Sequence, residues 1–255
     1  MSKAVLEAKD LSIQFGGLRA VDGVNLAVAE NQVVGLIGPN GAGKTTIFNM
    51  LTGVYHPTEG DILLEGNSIV GKKPYQVNQM GIARTFQNIR LFKEMSTIDN
   101  IKLAMNSQMD YSILSGVFRT KKYQVEEKRI SEEAHDLLKF FHMDKDAHTL
   151  ASNLPYGPQR KLEILRAVAS KPKVLLLDEP AAGMNPTETQ ELMETIQLIQ
   201  HEFNISVLLI EHDMNFVMGI CDYIFVLDYG RIIATGLGDD IRNNPQVIAA
   251  YLGGE

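Results

Sequence analysis

The sequence predicts an α/β fold built on a mainly parallel sheet, with an antiparallel β portion at its N-terminus and a helical segment inserted in its middle. Three observations carry that prediction. The apolar run Val33-Val34-Gly35-Leu36-Ile37 passes through a glycine-rich loop straight into Ile47-Phe48-Asn49-Met50-Leu51, a strand, loop and helix in succession. The runs Val174 to Leu177 and Ser206 to Ile210 are apolar almost throughout, as strands covered on both faces are, and helical periodicity separates them. From about Asn88 to Leu150 strand signals thin out and helical spacing takes over.

Composition sets the outer limits. With 255 residues, 45% hydrophobic and 22% charged, the chain can bury one large core with a subdomain. A net charge of −7 argues against nucleic acid as the main partner. The single cysteine, Cys221, rules out an internal disulfide and suits a reducing compartment. No apolar run approaches a membrane span, and the first residues lack a signal-peptide core. The expectation is a soluble cytoplasmic protein that meets a membrane only through partners. Internal repeats and low-complexity tracts are absent.

Val5 to Phe15 reads as a strand, Gly16-Gly17 as a hairpin turn, and Ala20-Val21 and Val24 to Val28 as the returning antiparallel strand. Phe15 is open to two readings, an ordinary core aromatic or a ring that stacks on a base. After the glycine-rich loop a helix is expected to about Thr52, with Gly53 as its stop. Asp61 to Leu64 reads as a strand, and Gly81 to Gln87 as another. Ile98, Ile101, Leu103 and Met105 mark a helix capped by Ser96 or Thr97. Ser107 to Phe118 reads as an irregular insertion. Lys121 to His142 is helical, with Ile130, Ala134, Leu137, Leu138 and Phe141 in register. The basic run Arg119, Lys121, Lys122 reads as a solvated face or a docking patch. Leu154 to Ser170 is a turn feeding an amphipathic helix, with Pro158 expected at its first position. Asn185-Pro186-Thr187-Glu188 has the cap, proline and glutamate of a capping box. Tyr223 to Leu227 and Arg231 to Ala234 form a hairpin around Tyr229-Gly230, and Asp240 to Leu252 is a closing helix.

The loop Gly38-Pro39-Asn40-Gly41-Ala42-Gly43-Lys44-Thr45-Thr46 carries the chemistry. Glycines at 38, 41 and 43 let backbone N–H groups turn toward an anion where a Cβ would obstruct. The helix that follows aims its unpaired N–H groups and positive dipole end at the same anion. Lys44 adds a point charge at the β- and γ-phosphates, and Thr45 offers a hydroxyl to Mg²⁺. The chain therefore binds a nucleoside triphosphate. Asp178 and Glu179 end an apolar strand, where adjacent carboxylates are costly unless they face a cation and solvent. Asp178 can hold Mg²⁺, and Glu179 can take a proton from a water attacking the γ-phosphate. His212 and Gln87 are ambiguous taken singly. Lys44, Asp178, Glu179 and His212 all fall at strand ends, where open α/β sheets place ligands.

In these residues the chain resembles the nucleotide-binding subunit of an ATP-binding-cassette (ABC) transporter over essentially its full length. Gly38 to Thr45 matches Walker A, Leu175 to Glu179 matches Walker B with its catalytic glutamate, and His212 matches the switch histidine. Gln87 matches the Q-loop glutamine, which the resemblance places near Mg²⁺ and the membrane subunit. Phe15 matches the adenine-stacking aromatic. Ala182-Gly183-Met184-Asn185 matches the D-loop, with Asn185 where aspartate is usual. The resemblance implies a P-loop NTPase core formed by residues 1–87 and 171–255, and a helical subdomain at 88–170. Arg84 to Gln87, Leu91 to Met95, Asp178 to Gly183 and Arg242 to Pro245 are most similar to the larger ATPase of branched-chain amino acid importers. Urea or short-amide transporters, lipid or lipopolysaccharide exporters, and soluble relatives in DNA repair or translation are the alternatives.

One stretch departs from the pattern. Where Leu-Ser-Gly-Gly-Gln is usual, the chain has Leu154-Pro155-Tyr156-Gly157-Pro158 before Gln159. In the family this signature closes on ATP held by a second subunit, so Gly157 would bind nucleotide in trans. Pro155 offers neither hydroxyl nor N–H, and Pro158 offers no N–H. A weakened signature points to a heterodimer with a different ATPase subunit. Permease subunits, and indirectly a solute-binding protein, complete the implied assembly on the cytoplasmic face of the membrane.

Overall fold

The computed structural model describes residues 3–105 and 121–252. The expected insertion from Ser107 to Phe118 lies outside those residues, as do Arg119 and the side chains of Lys121 and Lys122. Two compact units form, Met1–Gln87 with Pro172–Glu255, and Asn88–Lys171.

The first unit holds two sheets. Strands β1 (Ala4–Phe15), β2 (Leu18–Ala29), β4 (Glu59–Leu64) and β5 (Asn67–Ser68) make a four-stranded sheet in the order β2-β1-β4-β5, with every pairing antiparallel. Its buried side chains, Leu6, Ala8, Leu11, Ile13, Val24, Leu26 and Val28 among them, join one hydrophobic cluster with Ile47, Phe48 and Leu51. The larger sheet runs β10-β9-β3-β8-β7-β6. Here β3 is Val33–Ile37, β6 Ile82–Arg84, β7 Val174–Asp178, β8 Ser206–Ile210, β9 Tyr223–Asp228 and β10 Arg231–Gly236. Every residue of β3, β7 and β8 is buried, which accounts for their almost wholly apolar character. All pairings are parallel except the β9–β10 hairpin. Parallel register aligns Leu36 and Asp178 with Ile210, and Arg84 with Leu176. The segments after β3, β6, β7 and β8 therefore leave along one edge of the sheet.

Three local expectations are corrected. The strand expected from Gly81 to Gln87 is limited to Ile82–Arg84, because Gly81 terminates helix α2 (Pro74–Met80) in a left-handed conformation. That helix escaped the sequence reading because Val77 alone among its residues is buried, so it carries no apolar repeat. The closing helix is two helices, Gly238–Arg242 and Pro245–Leu252. Pro245 disfavours helical geometry at Asn244, and the Asn244 side chain accepts the Gln246 N–H at 2.9 Å. Elsewhere local chemistry acts as expected: α1 spans Lys44–Leu51, and Asn185 and Glu188 exchange hydrogen bonds of 3.0 Å in a capping box before Pro186–Phe203.

The second unit is helical, with α3 (Thr97–Met105), α4 (Lys121–Phe140) and α5 (Tyr156–Val168). Ser96 caps α3 by accepting the Asp99 N–H. Ile98, Ile101, Ile130, Ala134, Leu138 and Phe141 are buried at the helical spacing read from the sequence. Pro158 stands third in α5, not first, since the helix starts at Tyr156 with Pro155 before it. The N–H missing at that place would have had no intrahelical partner, so the proline is tolerated there too. Deeper in α5, Arg160 pairs with Glu163 at 2.7 Å, both buried, and Glu163 also accepts the Arg90 N–H.

Candidate functional site

The phosphate loop owes its path to two glycines. Gly38 has φ 148°, and a Cβ there would lie 2.0 Å from the Leu227 carbonyl oxygen. Gly43 has φ 109°, and a Cβ there would lie 2.9 Å from the Ala20 carbonyl oxygen. Any side chain would lift the loop off β9 or β2. Lys44 opens α1 and is buried, its Nζ donating to the carbonyls of Gly38 at 2.7 Å and Pro39 at 2.9 Å. Burial pushes the Lys44 ammonium below the ordinary lysine value, against the pull of Glu179 and Asp178. Thr45 is exposed and Thr46 half-buried in the first turn of the helix. A cavity of about 1160 Å³ lies against Pro39, Asn40, Gly41 and Ala42, with His212, Tyr229 and Tyr251 also in its wall.

Asp178, the last residue of β7, is buried and paired with Arg84 at 2.7 Å. The same guanidinium donates to Asn49 of α1 at 2.7 Å and lies over the rings of Phe48 and Phe86. One buried cation thus joins the phosphate-loop helix, the strand end carrying Asp178 and the segment leading to Gln87.

Glu179 follows with φ 46°, a left-handed conformation uncommon for a residue with a side chain. Its two oxygens are gripped separately. Gln87 Nε2 donates to Oε2 at 2.7 Å, and His212 Nε2 lies 3.0 Å from Oε1. A carboxylate held from both sides next to the phosphate loop can orient a water and receive its proton. Behind it, Glu211 is buried and accepts the backbone N–H groups of Ala181 at 2.8 Å and His212 at 2.9 Å. Burial raises the Glu211 carboxyl above its ordinary value, against these N–H groups.

Among the described residues no cluster of three or more His, Cys, Asp or Glu side chains could hold a metal unaided. The Thr45 hydroxyl, Asp178 carboxylate and Gln87 amide are nevertheless oxygen donors of the kind Mg²⁺ takes when substrate phosphates complete its shell. The donor set therefore fits Mg²⁺ brought with a nucleotide.

Phe15 is 45% exposed and meets Tyr55 edge to face at 5.3 Å. That excludes the core-aromatic reading and leaves an accessible ring. Gly157 belongs to the second unit, in the first turn of α5. The turn before it is closed by Gln159 Nε2 donating to the Leu154 carbonyl at 2.7 Å. Arg84 and Glu211 were not singled out from sequence. A signal was present for both, since each charge abuts a buried strand and must find a partner there.

Comparison with known proteins shows what the chain is similar to as a whole. The family model described as ABC transporter matches residues 21–182, and that described as branched-chain amino acid ATP-binding cassette transporter matches residues 231–255. The high-affinity branched-chain amino acid transport ATP-binding protein BraF of Pseudomonas aeruginosa is 48% identical over 253 residues, covering 99% of each chain. LivG of Escherichia coli, with the same description, is 47% identical over 253 residues, again covering 99% of each. A crystal structure of the ADP conformation of an ATP-binding cassette of an ABC transporter superposes with a TM-score of 0.86 at 31% identity, covering 99% of this chain and 100% of that one.

Proposed function

The chain belongs to the ABC transporter family of ATP-binding proteins, and from that premise we propose that it powers the import of branched-chain amino acids. It is an ATP-hydrolysing subunit of an ABC importer. The cargo assignment is supported by the BraF and LivG relatives and by the C-terminal match over residues 231–255.

The observation that carries the catalytic reading is Glu179, gripped by Gln87 and His212 and felt by the Lys44 ammonium. In this reading residues 38–46 bind the phosphates through backbone N–H groups, and Phe15 stacks on the base. Lys44 leaves its own loop carbonyls to meet the β- and γ-phosphates. Glu179 receives the proton of the attacking water, with His212 and Gln87 fixing its carboxylate. Thr45, Asp178 and Gln87 would hold Mg²⁺. When bound, that ion neutralises charge on the transferring phosphoryl group.

Pro155 at the start of α5 favours a heterodimer, in which Gly157 and the α5 N-terminus face nucleotide held by a second ATPase subunit. Attachment to the cytoplasmic face of the membrane would come from permease subunits; among the described residues no helix is long and apolar enough to cross a bilayer. The test is reconstitution with candidate permease, ATPase and binding-protein subunits in vesicles. Leucine-, isoleucine- or valine-dependent phosphate release with matching uptake is expected. Release that responds instead to urea or lipid would reassign the cargo.

A further inference from the structure

Two segments must hold still for Glu179 to work. One is the turn of residues 179–184, in which the Ala182 N–H reaches the Glu179 carbonyl and the Met184 N–H reaches that of Ala181. The other is the start of the segment after β8, which carries His212. They leave neighbouring parallel strands, and the Glu179 N–H donates to the Ile210 carbonyl at 3.0 Å. Past that bond the strand ladder ends. There the Glu211 side chain also joins the two segments, alongside the His212–Glu179 contact, with Oε1 on the Ala181 N–H at 2.8 Å and Oε2 on the His212 N–H at 2.9 Å.

We propose that Glu211 is a positioning residue for ATP hydrolysis, a buried carboxylate that bridges the loop at Ala181 to the backbone of His212 and so sets the Glu179–His212 contact. The proposal deepens the catalytic reading and rests on it. A carboxylate suits the task because it offers acceptors on two oxygens and has no N–H of its own to repel the amides. Glutamine of the same size would turn an NH₂ toward one of them. Aspartate would keep the charge but is a methylene too short to reach both. In the same way, movement imposed on residues 181–185 by a facing subunit would reach the His212 backbone through the Glu211 side chain.

The test uses the assembled transporter with E211Q, E211D, H212A and the E211Q/H212A double variant. Steady-state ATPase gives kcat and KM, and a fluorescent ATP analogue reports binding and confirms that each variant is folded. E211Q and E211D should both lower kcat on the order of 10- to 100-fold, the scale set by small misplacements of catalytic groups. KM and analogue binding should stay within about twofold, because no phosphate-loop group is touched. The double variant should fall little below H212A alone, since Glu211 acts through His212. Wild-type kcat in both E211Q and E211D, a rise in KM at unchanged kcat, or losses that multiply in the double variant would overturn the proposal. A wild-type complex that binds ATP without hydrolysing it would instead overturn the catalytic reading beneath it.

Discussion

The Gln87 side-chain amide donates to the Glu179 carboxylate at 2.7 Å while His212 approaches its other oxygen at 3.0 Å. These contacts draw the segment after β6 and the segment after β8 onto one carboxylate between them. If Glu179 is the general base, Glu179→Gln keeps ATP binding and lowers hydrolysis by about 10²- to 10⁴-fold. Single-turnover phosphate release with an independent binding measurement checks this. Undiminished release removes Glu179 from the role.

Arg84 and Asp178 form a buried pair, each side chain 8% exposed. Arg84→Met leaves the Asp178 charge buried without that cation. Unfolding in urea should show a loss of about 3–5 kcal/mol, the usual cost of removing one partner of such a pair. Arg84→Met with Asp178→Asn should recover part of the loss, because the uncompensated charge is then gone. A single variant as stable as the parent would show that water or other neighbours already solvate Asp178.

Lys44 predicts a pH dependence. Burial lowers its folded pKa below 10.5, so between the two values the unfolded chain holds the proton that the folded chain has released. Stability from this group therefore rises with pH across that window. The wild-type protein should gain stability relative to Lys44→Met as pH climbs toward 10.5, read from urea unfolding at stepped pH without nucleotide. A difference that stays flat or falls contradicts the assigned direction.

Gly38→Ala meets two obstacles, φ 148° and a carbonyl oxygen 2.0 Å from the new Cβ. The loop must leave its seat on Leu227. Calorimetric titration should show ATP affinity falling by more than tenfold, while Gly41→Ala, whose Cβ meets nothing within 4 Å, should cost less. Equal losses at the two positions would discount the seating argument.

The heterodimer reading concerns Pro155. It precedes Tyr156 at the start of α5 and has no hydroxyl to offer a phosphate. Pro155→Ser should raise ATPase of the chain assayed alone and change the paired complex less. Full cooperative turnover by the unaltered chain alone, indifferent to this substitution, would count against a heterodimer.

Much of this protein was legible in its sequence because the signals are local. Buried strands announce themselves by runs such as Val174 to Leu177. The capping box at Asn185 and the glycines around Lys44 are short-range chemistry, and they determined where strands, loop and helices fall. Pattern reading failed where local signals were weak. Residues 74–80 bury Val77 alone, and Pro245 divides the single helix expected over Asp240 to Leu252.

The partners of the candidate catalytic groups were decided only in three dimensions. Gln87 and Glu179 stand 92 positions apart, and Arg84 and Asp178 94. Their contacts exist because β6, β7 and β8 lie side by side and end at one edge. Strand order is set by how apolar faces pack across the whole unit, not by any short stretch of residues. The sequence by itself determined which groups can handle a phosphate. Tertiary structure decided which of them hold one another, and brought Arg84 to Asp178 and Glu211 to the backbone of Ala181 and His212, because a buried charge takes whatever partner the fold brings within reach.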